Sequence, residues 1–260
     1  MTTDLSAGRK KRFTVDDGNI RGSTTHVNPY SNVMHKTIIT SSDDIDYNSL
    51  GRDHGGSMQL ELTEPGKLLS AHGTLAQVGW ARQPLLDCNL ENARFYSLRA
   101  LQFLRIKRWD YYALFTPDLF FSATIADLGY AGNIFVYVMD LKSADLHEES
   151  LAIPLAKGVQ LPRNSTSGTS EFNNGKVKLT FRALPDERQL SVVWAGFHDG
   201  KGIEADIRLA CPKEFESMNI VIPIGTNRFY YNRKINALPA TGTIKYGSNT
   251  INLDPKTCLG

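Results

Sequence analysis

Leu190-Ser191-Val192-Val193-Trp194, then His198-Asp199-Gly200-Lys201-Gly202, then Ile203-Glu204-Ala205-Asp206-Ile207-Arg208-Leu209 decide the fold class. In the last stretch the odd positions are apolar and the even ones charged, the period of a strand buried on one face. Leu190, Val192 and Trp194 keep the same step in the first. The Asp-Gly between them supplies residues that take positive φ, so a hairpin is predicted.

The same period extends in both directions. Val177, Leu179 and Phe181 alternate with Lys178, Thr180 and Arg182, and Met218, Ile220, Ile222 and Ile224 follow the rule. Ile134 to Met139 is apolar at nearly every position and predicts a strand covered on both faces. Asn173-Asn174-Gly175, Leu128-Gly129-Tyr130 and Tyr246-Gly247-Ser248-Asn249 read as reversals. Short strands at this spacing predict an all-β domain, an antiparallel barrel or sandwich. The stretch Asn89 to Phe103 allows a short helix with Asn89 as its N-cap, or an extended lead-in to the next strand.

Composition narrows the function classes. Lys plus Arg is 29 and Asp plus Glu is 27, a balance that leaves no footprint for nucleic acid or an anionic membrane. No apolar run approaches the ~20 residues of a membrane-spanning helix, and Met1-Thr2-Thr3-Asp4 opens no secretory signal. Cys88, Cys211 and Cys258 are an odd, irregularly spaced three, which fits reduced thiols rather than a disulfide framework or zinc site. The histidines form no HxH or HExxH pattern, so neither a metal nor a cofactor is expected. A cytoplasmic protein is the expectation. Residues 1–57 read as a disordered N-terminal tail ahead of a β domain over 58–260, because they are too polar to offset their ordering entropy. Within the tail, Arg9-Lys10-Lys11-Arg12 is a solvated basic cluster or an import signal.

Four strings combine rings with polar groups. Gly79-Trp80-Ala81-Arg82-Gln83-Pro84 offers Trp80 and Arg82 either as a ligand clamp or as a structural stack. In Lys107-Arg108-Trp109-Asp110-Tyr111-Tyr112, one face carries Lys107, Trp109 and Tyr111, while Arg108 and Asp110 are placed to pair on the other. Asp127, at the end of Thr124-Ile125-Ala126-Asp127-Leu128-Gly129-Tyr130, is a proton donor if buried and a turn cap otherwise. In Phe229-Tyr230-Tyr231-Asn232-Arg233-Lys234-Ile235-Asn236, the face with Asn232, Lys234 and Asn236 must be hydrogen-bonded if buried.

These strings, in this order and with Glu216-Ser217-Met218 and Ala237-Leu238-Pro239-Ala240-Thr241-Gly242, resemble the family called domain of unknown function 2804. The resemblance covers roughly residues 58 to 260. It implies a lipocalin-like architecture, analogous in fold to carotenoid hydratases and related cyclases, and carries over no activity. Relatives of this kind continue past Cys258-Leu259-Gly260 into a second half, and their link across Asn92 to Leu104 is shorter.

The expectation is a domain that binds a small lipophilic molecule bearing a polar group. Trp80, Arg82, Lys107, Trp109, Asn232 and Lys234 are the candidate ligand-binding residues. Asp127 and Tyr130 are the candidate catalytic pair if hydratase or isomerase chemistry accompanies binding. The alternatives are a non-catalytic binding or scaffolding domain, and a carbohydrate surface of Trp80, Trp109 and Tyr112. A homodimer through the C-terminal sheet edge, at Thr250-Ile251-Asn252-Leu253, is a further expected association.

Overall fold

The computed structural model describes residues 60–225 and 228–260. The tail, with Arg9 to Arg12, lies outside the described residues. Three short strands come first: β1 (Gly66–Lys67), β2 (Gly79–Ala81) and β3 (Leu86–Asp87), with β1 and β3 paired in parallel. A four-stranded meander follows, of β4 (Arg108–Phe115), β5 (Leu119–Asp127), β6 (Ala131–Asp140) and β7 (Leu146–Pro154). Next come β8 (Gly168–Asn173), β9 (Val177–Ala183), β10 (Glu187–Trp194) and β11 (Ile203–Ala210). The chain then leaves that sheet for β12 (Met218–Gly225) and β13 (Arg228–Lys234), with β12 paired between β13 and β2. It returns as β14 (Ala240–Tyr246) beside β11 and ends in β15 (Asn249–Leu253), giving a six-stranded sheet with β15 and β8 as its outer strands.

The four- and six-stranded sheets enclose one core. Phe121, Ala123 and Ile125 of β5 and Ile134, Val136 and Val138 of β6 meet Leu179, Phe181, Leu190, Val192 and Ile207 from the other side. These side chains are closed to water and fill the space between the sheets. Among the described residues the sheets do not close into a barrel, so the architecture is an all-β sandwich. A smaller core of Leu62, Leu68, Leu69, Ala81, Leu86, Ala93 and Val221 lies against the three-stranded sheet. No described helix is long and apolar enough to cross a membrane, and all three cysteines are free.

The hairpin predicted at His198-Asp199-Gly200 is present, joining β10 to β11 in register from Trp194 opposite Ile203 to Glu187 opposite Ala210. Three local expectations are corrected. Asn89 caps no helix: the segment holds only 3₁₀ turns, Leu90–Asn92 and Arg99–Leu104. Its buried amide instead accepts from Leu69 N–H at 2.9 Å and donates to Leu69 O at 2.7 Å, serving as a strand-like bridge. Along β12 the alternation is inverted, with Asn219 and Val221 buried and Met218, Ile222 and Ile224 exposed at 46%, 42% and 48%. Arg108 and Asp110 do not pair with each other, because each finds a partner on a different strand.

The chain's end ties the two main sheets together. Leu259 exchanges backbone hydrogen bonds with Phe115 at the end of β4, at 2.8 and 3.0 Å. Its neighbours reach the start of β14: Ala240 N–H donates to Cys258 O, and Gly260 exchanges a pair with Leu238.

Candidate functional site

The corner between β5 and β6 gathers three of the predicted residues. Asp127 accepts the Gly129 N–H on Oδ1 at 2.8 Å and the Arg108 guanidinium on Oδ2 at 3.1 Å. It therefore closes the turn with one oxygen and pairs across to β4 with the other. Lys107 donates to Leu104 O at 2.9 Å and to Leu128 O, and its ammonium lies 4.1 Å from the centre of the Tyr130 ring. Burial lowers the proton affinity of Lys107, Asp127 opposes that shift and Arg105 adds to it. Gly129 has φ +81°, and a Cβ there would meet Phe103 O at 2.1 Å, so this turn accepts no side chain.

Trp80 and Arg82 form a separate group. The guanidinium sits 5.3 Å over the Trp80 ring and bridges Glu61 and Glu216, each at 3.0 Å. Across the three-stranded sheet Trp80, Ile220 and Asn232 stand in one row, and Lys234 lies opposite Met218. All five belong to the face turned away from the smaller core, since Val221, Phe229 and Tyr231 take the opposite face. Tyr230, opposite Ile222, brings that face to Trp109 on β4, with ring centres 6.0 Å apart. The structure thus brings together Lys107, Asp127 and Tyr130, and aligns Trp80, Asn232 and Lys234. It places Trp109 at the seam, against Tyr230. Tyr112 lies apart from Trp80 and Trp109, packed edge-on to Phe181 inside the sandwich.

The outer face of the four-stranded sheet carries a row of rings. Alternation turns Trp109, Tyr111 and Phe115 of β4 outward, with Phe120 of β5 and Phe135 and Tyr137 of β6 beside them. Phe115 and Phe120 meet edge to face at 4.6 Å, and Phe120 and Tyr137 lie 5.4 Å apart. The Tyr111 and Tyr137 hydroxyls are hydrogen-bonded at 3.2 Å. Burial and that bond push the Tyr137 phenol up to about 12. Thr124, opposite both Tyr111 and Phe135, is buried with an unpartnered hydroxyl among the described residues. One end of this face is wholly apolar, with Phe115, Phe120, Met139 and Leu146 in successive strands. Glu148 and Ser150 stand beside Tyr137 and Phe135 towards the middle.

A second cluster was missed by sequence reasoning. On the inner face Asp110 accepts from Ser170 Oγ at 2.7 Å, and burial raises its proton affinity against the pull of that bond and of Arg188. Arg188, buried on β10, donates to Leu184 O at 2.7 Å and Glu187 O at 3.1 Å. Arg233 donates to Ser217 Oγ at 3.1 Å and Ser165 O at 3.0 Å. Burial lowers its proton affinity, and Arg188 adds to the effect. The signal lay in the alternation: Asp110 shares the parity of Tyr112 and Leu114, and Arg188 that of Leu190 and Val192.

No curated protein and no solved structure matches this chain. The strings that build the Asp127 corner, the ring-bearing face of β4 and the β12–β13 excursion all fall within residues 59–260, where a family model matches. That model is described as Domain of unknown function (DUF2804), it covers more than half of the chain, and the chain belongs to that family.

Proposed function

We propose that this domain is a binding module for a lipophilic small molecule with a polar group, received on the outer face of the four-stranded sheet. The observation that carries the reading is the graded character of that face. Its rings run from an apolar end at Phe115 and Phe120 to the hydroxyl pair of Tyr111 and Tyr137. Ligand sites combine a mostly apolar surface with a few placed polar groups, and this face has both. Trp109 and Tyr230 extend it towards Trp80, Asn232 and Lys234, the residues proposed to hold the polar end of a longer ligand. The space between the sheets is filled, which favours the outer face over an interior cavity. Hydratase or isomerase chemistry by Asp127 or Tyr130 has less support, because both Asp127 oxygens are engaged, one by the Gly129 N–H and one by Arg108.

Native mass spectrometry of the purified chain, followed by titration with an apolar fluorescent dye, tests the reading. Replacing Tyr111 and Phe115 by serine should weaken dye binding about tenfold, the loss of roughly one ring contact. Cooperative unfolding should be retained, since both side chains are exposed. Equal dye binding by the variant and the original chain would exclude this face.

A further inference from the structure

The reversal between β10 and β11 holds two consecutive non-glycine residues in the left-handed region, His198 at φ 52° and Asp199 at φ 55°. Such residues persist only where their surroundings hold them. Here the holding groups come from the opposite sheet and from β14. The His198 backbone N–H donates to the Glu149 carboxylate on β7, and the His198 ring stacks on His147 with centres 3.7 Å apart and planes 12° apart. The same Glu149 oxygen lies 3.3 Å from His147 Nε2. Tyr246 OH meets His198 Nδ1, and Lys201 Nζ lies 3.3 Å from His198 Nε2. Beneath the stack Phe197 is fully buried, edge-on to His147 at 5.1 Å and to Trp194 at 6.0 Å.

We propose that the His147–His198 stack is an acid-released clasp that pins the tip of the six-stranded sheet onto β7 of the four-stranded sheet.

An ammonium only donates, so the contact with Lys201 requires His198 Nε2 to accept. The ring proton then sits on Nδ1 and donates to the Tyr246 oxygen. This network fits a neutral His198 and no other form. A second proton on the ring would face Lys201 and stack an imidazolium on the His147 ring. The charged and titratable groups around His198 are His147 and Glu149 from β7, Asp199 and Lys201 from the reversal, and Tyr246 from β14. Burial lowers its proton affinity first, then His147 and Lys201, against weaker opposition from Asp199 and Glu149. The closed tip thus binds a proton less readily than an open one, so acidification through the ordinary imidazole range, about 6.5, favours opening. Opening uncovers Phe197 and the Trp194 edge.

Hydrogen exchange of the full chain between pH 7.5 and 5.0, corrected for intrinsic rates, reads the clasp at the Gly202 and Gly247 amides. Their bonds to Phe197 O and Gly202 O close the reversal. The opening constant should rise severalfold over that interval, as the open tip takes up the proton that the closed tip binds less readily. In His198→Asn, which tolerates the left-handed backbone but does not titrate, the dependence should vanish. In Lys201→Gln the His198 ring, followed by NMR, should titrate at higher pH than in the original chain. An opening constant independent of pH, a dependence surviving in His198→Asn, or a His198 midpoint unmoved in Lys201→Gln would each overturn the proposal.

Discussion

Arg108 on β4 and Asp127 on β5 are directly opposed in register, and their side chains meet at 3.1 Å on the edge of the sandwich. With Gly129 donating to the other carboxylate oxygen, Asp127 is a turn cap that also pairs across strands. Asp127→Asn should keep the cap and lose the pair, costing about 0.5–1 kcal/mol because the pair is partly exposed. Urea unfolding measures this. A loss beyond about 3 kcal/mol would place Asp127 in the class of buried charges instead.

Asp110 has the opposite environment. Its folded state holds the proton more tightly than the unfolded chain, so its contribution to stability is present below the unfolded value of about 3.9. That contribution is lost as pH rises through the folded value. Asp110→Asn, with Ser170 donating to the amide oxygen, should match the original chain near pH 4. At pH 7 it should be the more stable of the two. Paired unfolding curves at the two pH values check the sign.

Gly242 sits on β14 opposite Ile207 with φ +115°, and a Cβ there would lie 2.0 Å from Asp206 O. The clash is with backbone and cannot be relieved by a rotamer change. Gly242→Ala should destabilise the domain by at least about 2 kcal/mol, read as a lowered urea midpoint.

A chain ending at Thr257 would lose the bonds of Cys258, Leu259 and Gly260 to Phe115, Leu238 and Ala240. Five backbone hydrogen bonds at about 1 kcal/mol each make this a loss of roughly 4–5 kcal/mol. Thermal melting should fall by about 10 °C for a domain of this size.

Strand alternation was legible where one face of the sheet has a large core to meet. Ile203, Ala205, Ile207 and Leu209 point inward as their period requires, and so do Leu190, Val192 and Trp194. Along β12 the same rule chose the wrong face. The smaller core accepts only Val221 from this strand and is completed by Phe229 and Tyr231. Asn219 can be buried beside it because its amide donates to Ala81 O, Ser217 O and Ser217 Oγ at 3.0–3.2 Å. Period alone does not say which face has partners.

The candidate site was legible in pieces. The shared face of Trp109 and Tyr111 follows from alternation, and the Arg82–Trp80 stack is one of two readings the residues allow. Which strand each polar group would reach was not readable. Arg108 turns to Asp127 and Asp110 to Ser170 because β5 and β8 approach β4 from different sides, a matter of topology rather than spacing.

The pairing of Leu259 with Phe115 also bears on how the chain reaches its fold. The meander from Arg108 to Pro154 can form from local hairpins, but its closure onto the other sheet waits for residues almost the whole domain away. Folding dominated by such distant contacts runs on the millisecond-to-second scale, about that of other all-β domains. During that interval the Phe115 end of β4 is an unsatisfied edge flanked by rings, where intermolecular strand pairing competes with completion of the fold. The refolding yield should therefore fall with protein concentration, and it should fall more steeply when Leu259 cannot pair.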